Sequence, residues 1–236
     1  MEEPLVSIVI PTYNERDGIT ALIDRVCAEF GRAGVNGEIV IVDDNSPDQT
    51  WKVVEEISAT RPVRLLRRAG KLGLSSAVID GFKFARGHVL GVMDADGSHD
   101  SVVIPALINA IVTDGYDLAV GSRYIPGGGI KDWPLVRQII SRGAVLLASP
   151  LTPIRDITSG FFFLRREVID EVHLNPIGFK IGLEVFVKGR FGRYCEVPYT
   201  FTDRVHGKSK LTWKQMWEYL VQLVDLIRYR LMHRRG

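Results

Sequence analysis

The chain has 236 residues, 46% of them hydrophobic and 25% charged, with four Trp, seven Tyr and ten Phe. Such a chain buries one large core, which excludes a disordered polymer, a collagen-like repeat and a disulfide-stapled miniprotein. Its net charge of +2 hides an asymmetry: residues 204–236 hold eight Lys/Arg against two Asp/Glu, so this tail carries +6 and the first 203 residues carry −4.

The first apolar run, residues 6–10, predicts a strand, and no basic leader precedes it, so no signal peptide is expected. It ends in Pro11-Thr12-Tyr13-Asn14-Glu15. That turn lacks the glycines a dinucleotide fold needs, which disfavours a Rossmann dehydrogenase. Apolar spacings of three and four then predict a helix over 19–30, followed by a strand over 38–42 that runs into Asp43-Asp44-Asn45-Ser46. A helix over 51–59, a strand over 63–66 and a helix over 74–85 continue the alternation. Another strand, 88–93, ends in Asp94-Ala95-Asp96; a helix over 103–112 and a strand over 117–121 follow.

This βαβ succession implies a mostly parallel sheet with helices on both faces, and right-handed crossovers gather the loops after the strands along one edge. Open α/β sheets bind ligands at that edge. A single acidic strand end is commonly a helix cap or turn former. Two of them together suit a ribose, a base or a hard cation, and a pair such as Asp94 and Asp96 can hold Mg2+ or Mn2+ when a diphosphate supplies further oxygens.

The second half is less regular. A glycine-rich loop begins at 126–129, and residues 133–151 are rich in Leu, Ile and Val with Arg137 and Arg142 interspersed. Residues 211–232 predict an amphipathic helix. Trp213, Met216, Trp217, Leu220, Leu223, Val224, Ile227 and Leu231 form its apolar stripe, and Lys214, Gln215, Glu218, Gln222, Asp225 and Arg228 lie off it. Either the helix covers an ordinary core or it lies in a membrane interface. No stretch is apolar enough to predict a spanning helix.

Other chemistries fail on inspection. Gly207-Lys208-Ser209 resembles the end of a P-loop, but Thr202 stands where that motif needs glycine. There is no GxSxG and no HExxH. The five histidines show no ligand spacing, and His99 reads as a loop donor. Cys27 and Cys195 form no CxxC and read as packing residues in a reducing compartment.

Across nearly its whole length the sequence resembles the inverting family-two glycosyltransferases of GT-A fold, and among them the polyprenol-phosphate (dolichol-phosphate) mannose synthases. The matching segments are 9–16 (VIPTYNER), 42–50 (VDDNSPDQT), 73–81 (GLSSAVIDG), 93–98 (MDADGS), 121–124 (GSRY), Arg155-Asp156, 159–162 (SGFF), 175–181 (NPIGFKI) and 204–211 (RVHGKSKL). The early motifs are shared by many family-two enzymes, whereas GSRY, SGFF and GFKI in that order are more specific to polyprenol-phosphate transfer.

The resemblance implies a GT-A domain over 1–210, and the stripe with Trp213 and Trp217 flanked by Lys and Arg has the profile of an amphipathic, membrane-interfacial helix over 211–236. The resemblance places Pro11, Tyr13, Glu15, Val42 and Asp44 on the guanosine of GDP-mannose, and Asp94, Ala95 and Asp96 on ribose, diphosphate and metal. Ser98 stands where many relatives carry a glutamine ligand to the metal. Arg204 and Lys210 would neutralise the diphosphate, while Arg123, Arg137 and Ser141 would receive the lipid phosphate. Arg123, Arg204 and Lys210 thus join Asp94 and Asp96 as the expected catalytic set.

A lipid phosphate is anionic at neutral pH, so the attack needs no general base, and in-line displacement would give a β-linked product. The expected partners are a polyprenyl or dolichyl phosphate and the cytoplasmic face of a membrane, bound peripherally or through an integral partner subunit; nucleic acid is not expected. The alternatives are a relative using UDP-glucose or another sugar nucleotide, and a non-catalytic nucleotide-sensing membrane subunit. The intact aspartates and cations speak against the latter.

Overall fold

A computed structural model describes residues 5–131, 133–202 and 213–233. The predicted alternation is present: β1 (Val6–Thr12), α1 (Arg16–Ala33), β2 (Gly37–Asp43), α2 (Thr50–Ser58), β3 (Val63–Arg67), α3 (Leu74–Phe84), β4 (Val89–Val92), α4 (Ile104–Val112) and β5 (Leu118–Ser122). The second half adds β6 (Gly129–Lys131), α5 (Leu135–Ala148), β7 (Phe162–Arg165), α6 (Ile181–Lys188), β8 (Tyr194–Pro198), β9 (Thr200–Thr202) and α7 (Trp213–His233).

Seven strands form one sheet in the order β3-β2-β1-β4-β7-β5-β8, and β6 pairs with β9 in a small second sheet. β7 alone runs antiparallel to its neighbours β4 and β5. The other pairs of the large sheet, β1 with β2 and β4, β2 with β3, and β5 with β8, are parallel. The period-two alternation of strands sends odd and even residues to opposite faces. Ile8 and Ile10 join Ile39 and Ile41 in one core under α1 and α4, whereas Val9, Val40 and Val42 join Ala77, Val78, Phe186, Leu223 and Leu226 in the other, under α3, α6 and α7.

Chain connections diverge at β1 and β4, with β2 and β3 on one side and β7, β5 and β8 on the other. That switch point opens a crevice at the carboxyl ends of the strands, where Pro11–Glu15 and Asp94–Asp96 emerge. Cys27 and Cys195 are free, half-buried thiols packed against the first core, and burial pushes the Cys195 thiol up to about 11. Among the described residues no helix is long and apolar enough to cross a membrane.

Both faces of α7 are in use. Leu223, Leu226 and Gln222 are buried against the domain, while Trp213 is 85% and Trp217 68% exposed. Gln222, expected off the apolar stripe, is therefore an inward residue. Its amide finds a partner there, as described below. Leu223 lies inside rather than with the exposed stripe. The outward face of α5 is also apolar, with Leu135 and Leu146 about three-quarters exposed (76% and 74%).

Candidate active site

The ends of β1, β2 and β4 line a cavity of about 240 Å³, with Pro11, Tyr13, Glu15, Asp44, Lys71, Asp94, Ala95 and Asp96 in its wall. Two of its loops are tied together: the Asn14 N–H donates to Ser46 Oγ and the Glu15 N–H to Thr50 Oγ1, both at 3.0 Å. Asn14 and Asn45 sit in the left-handed region, φ 62° and 54°. Asparagine tolerates that conformation better than most residues.

The neighbouring aspartates after β2 differ in role. Asp43 is fully buried and accepts from the Thr12 hydroxyl (2.8 Å), the Ser46 amide (2.8 Å) and the Ser46 hydroxyl (2.6 Å), so it builds the turn. Asp44 faces the cavity. Arg68 Nε donates to its Oδ1 at 2.6 Å, and the Leu72 and Gly73 amides donate to its Oδ2 at 3.1 and 3.0 Å. The Gly73 amide is aimed this way by a φ of +101°, which a side chain would resist. Lys71 Nζ stands 3.8 Å over the Tyr13 ring.

Ser98 braces Asp96, donating to Oδ1 from both its amide (3.0 Å) and its hydroxyl (2.5 Å). The Asp94 amide donates to His99 Nδ1 at 3.0 Å, leaving the ring proton of a neutral imidazole on Nε2, 3.7 Å from Asp94 Oδ2. His99 is therefore an acceptor at Nδ1 and not the loop donor expected. It stacks on Phe161 with ring centroids 4.9 Å apart, and burial there holds its pKa below the usual value.

A second cavity, of about 260 Å³, adjoins the first and shares Leu74 and Asp94 with it. Most of its wall comes from the second half of the chain: Arg123 after β5, Trp133, Arg137 and Ser141 on or before α5, Thr158, Lys180, and Met216 and Tyr219 on α7. Arg123 Nε and Nη2 each donate to the fully buried Asp156 at 2.7 Å, and Nη2 also reaches Thr158 Oγ1 at 2.9 Å. Burial alone would lower the Arg123 pKa, but Asp156 outweighs it and the group is held above its ordinary value. The Arg137 guanidinium lies 4.0 Å over the Trp133 ring, and Ser141 Oγ is 2.9 Å from the Tyr124 hydroxyl.

Residues 7–173 match the family model described as Glycosyl transferase family 2. The chain is a family 2 glycosyltransferase. It is 48% identical over 228 residues to a dolichol-phosphate mannosyltransferase of Pyrococcus furiosus, a match covering 95% of this chain and 64% of that protein. It is 39% identical over 234 residues to the dolichol-phosphate mannosyltransferase of Saccharomyces cerevisiae, covering 93% and 86%. A polyprenol monophosphomannose synthase of Mycolicibacterium smegmatis is 37% identical over 242 residues, covering 97% and 89%. The chain thus belongs with the dolichol-phosphate and polyprenol-phosphate mannosyltransferases, although it spans just under two thirds of the Pyrococcus relative. Its fold is shared by a mannosyltransferase of Pyrobaculum calidifontis solved with GDP-Man and Mn2+, at TM-score 0.65 and 17% identity over 95% of this chain and 65% of that one.

In this glycosyltransferase, Pro11, Tyr13, Glu15, Asp44, Asp94, Ala95 and Asp96 line one cavity, and Asp94, Arg123, Arg137 and Ser141 line the other. Val42 does not join them. β2 is buried on both faces and the Val42 side chain lies wholly in the second core, so any ligand contact there falls to its main chain. Ser98 lines neither cavity; its hydroxyl is spent on Asp96. Arg204 and Lys210 lie outside the described residues. Arg68, Lys71 and Lys180 also stand at the two cavities, yet no spacing in the sequence marks them; the one signal is that Lys180 lies inside the GFKI segment.

Proposed function

We propose that this glycosyltransferase moves mannose from GDP-mannose to a polyprenyl phosphate with inversion, releasing GDP. The observation that carries this reading is the pairing of unlike cavities at Asp94. One is rimmed by carboxylates at strand ends; the other is largely apolar, lined by cations and framed by α5 and α7, whose outward faces expose Leu135, Leu146, Trp213 and Trp217. A water-soluble acceptor has no use for such a frame. The relatives, dolichol-phosphate mannosyltransferases and a polyprenol monophosphomannose synthase, support the same sugar and acceptor.

An oxygen of the lipid phosphate attacks the anomeric carbon, the bond from that carbon to the diphosphate breaks, and the electron pair leaves with GDP. No proton need be removed from the nucleophile, so the work of the site is to gather two anions without repulsion and to stabilise the departing charge. Asp94 and Asp96 suit a hard divalent cation. The donor diphosphate would supply its further oxygen ligands. Bound there, Mg2+ or Mn2+ would neutralise the leaving diphosphate. Ser98 keeps Asp96 turned toward it, and His99 fixes the main chain at Asp94. Arg204 and Lys210 would add charge on the donor side, while Arg123, Arg137 and Ser141 would orient the lipid phosphate.

The same reading places residues 1–210 as the catalytic domain and 211–236 as an interfacial helix at the cytoplasmic face of a membrane, attached to lipid or to an integral partner. Parallel incubations with radiolabelled GDP-mannose and UDP-glucose, each with polyprenyl phosphate and followed by lipid extraction, test the proposal. Label should enter the lipid from GDP-mannose alone. Lipid labelled from UDP-glucose would overturn the donor, and sugar released without lipid labelling would overturn the acceptor.

A further inference from the structure

The acceptor cavity holds a cation that the proposed phosphate contacts leave out. Lys180 Nζ donates to the Thr158 carbonyl at 3.1 Å, its one hydrogen bond among the described residues, so two of its N–H groups remain for another acceptor. Thr158 is bracketed, since its hydroxyl oxygen accepts from Arg123 Nη2 while its carbonyl accepts from Lys180. The two cations differ in compensation. Arg123 is neutralised by the buried carboxylate of Asp156, whereas the described residues give Lys180 no carboxylate within 4.0 Å. Burial first, and then repulsion from Arg123 and Arg137, pull the Lys180 pKa down to about 8 against the attraction of Asp156 and Asp94. Withdrawing an ammonium from water beside two other cations is unfavourable unless an anion joins them. The same wall contains Trp133, whose indole N–H is buried without a partner among the described residues.

The fold also fixes where Lys180 sits. A Cβ on Gly182 would meet the Ser159 carbonyl oxygen at 2.4 Å, so only glycine lets the start of α6 lie against residues 158–160. From the other side, Gln222 Nε2 on α7 donates to the Lys180 carbonyl at 3.1 Å. The main chain is clamped from both sides and the ammonium is delivered to the cavity wall.

We infer that Lys180 is a direct ligand of the acceptor phosphate, supplying the uncompensated positive charge that Arg123, paired with Asp156, does not. This rests on the acceptor reading above. The test uses the full chain with saturating GDP-mannose and a short-chain polyprenyl phosphate in detergent, alongside calorimetric GDP affinity. Lys180→Gln retains a donor for the Thr158 carbonyl but loses the charge, and it should raise the acceptor KM tenfold or more while GDP affinity stays within twofold. Lys180→Arg should recover most of that loss. An unchanged acceptor KM in folded Lys180→Gln, or an equal loss of GDP affinity, overturns the inference. Should Lys180→Gln fail to melt cooperatively, Gln222→Met, which releases the Lys180 carbonyl from α7, should show the same acceptor-selective rise, and its absence overturns the inference equally. A wild-type chain that labels no polyprenyl phosphate would instead refute the acceptor reading itself.

Discussion

The two cavities are built in opposite ways. On the donor side the carboxylates follow the ends of parallel strands and are held by near neighbours, as Asp44 is by Arg68, Leu72 and Gly73 and Asp96 by Ser98. On the acceptor side the cations come from separate elements of the second half, and they converge because those elements pack together: Tyr219 on α7 donates to the Ala144 carbonyl of α5 at 2.6 Å, and Gln222 on the same helix holds Lys180. Donor geometry is thus local, and acceptor geometry depends on tertiary docking.

The contrast can be broken most severely at Asp156. Asp156→Ala leaves the buried Arg123 charge unpaired, and calorimetric or denaturant unfolding should show a loss of about 3–5 kcal/mol, more than two powers of ten in the folding constant. A loss below about 1 kcal/mol would mean that the pair does not hold the acceptor side together. On the donor side, Asp96→Ala should leave the melting curve nearly unchanged yet cut kcat by about a hundredfold or more, since strand-end carboxylates lie outside the cores. Near-normal turnover would remove Asp96 from the donor site. Arg137→Ala should lower kcat/KM for the lipid phosphate by about 10- to 100-fold with GDP affinity preserved. Equal losses for both substrates would show that the cavities do not divide the labour.

A gentler probe is pH. With the Lys180 pKa at about 8, below the usual 10.5, its binding form is fully present below that value and is lost as pH rises through it. The kcat/KM for acceptor should therefore fall above pH 8, approaching about tenfold per unit, while the lipid phosphate keeps its charge. The charged groups around Lys180 are Arg123, Arg137, Asp94 and Asp156. Lys180→Arg, whose side chain stays protonated, should flatten the descent. The smallest effect concerns the outer frame. Trp213→Ser with Trp217→Ser should weaken binding to anionic liposomes severalfold and leave GDP affinity intact, because both indoles are exposed and neither lines the donor cavity. Salt should weaken the wild-type interaction too, as Arg228 and Arg230 are each attracted by about 1 kcal/mol near such a surface. Unfolding of this double variant, with no liposome binding by the wild type, would assign the helix to the core alone.

The donor half was legible because buried parallel strands are written as apolar runs and their ends as short polar clusters, as in residues 38–46 and 88–96. Even there, nothing in Asp43-Asp44 says which carboxylate turns inward; that is decided by Thr12 and Ser46 claiming the first. The acceptor half was less legible. β6 and β9 have three residues each and β7 has four, too few for periodicity to register. Helical spacing puts the polar Gln222 off the apolar stripe, while its burial follows from a carbonyl on another element. His99 reads as a donor until the Asp94 amide is seen to occupy its Nδ1.

The strand order also dictates how this chain must be assembled. β4 and β5 are consecutive among the first five strands, yet they never touch; β7, antiparallel and more than forty residues further on, fills the slot between them. Its approach brings Phe161 and Phe163 into one core and Phe162 into the other, so neither hydrophobic layer is complete until that segment arrives. A nascent chain emerging up to β5 would carry a sheet with an open seam and two exposed edges, the configuration most prone to pairing with another chain. Closure then depends on a contact of long sequence separation, which slows folding relative to a sheet laid down strictly in order.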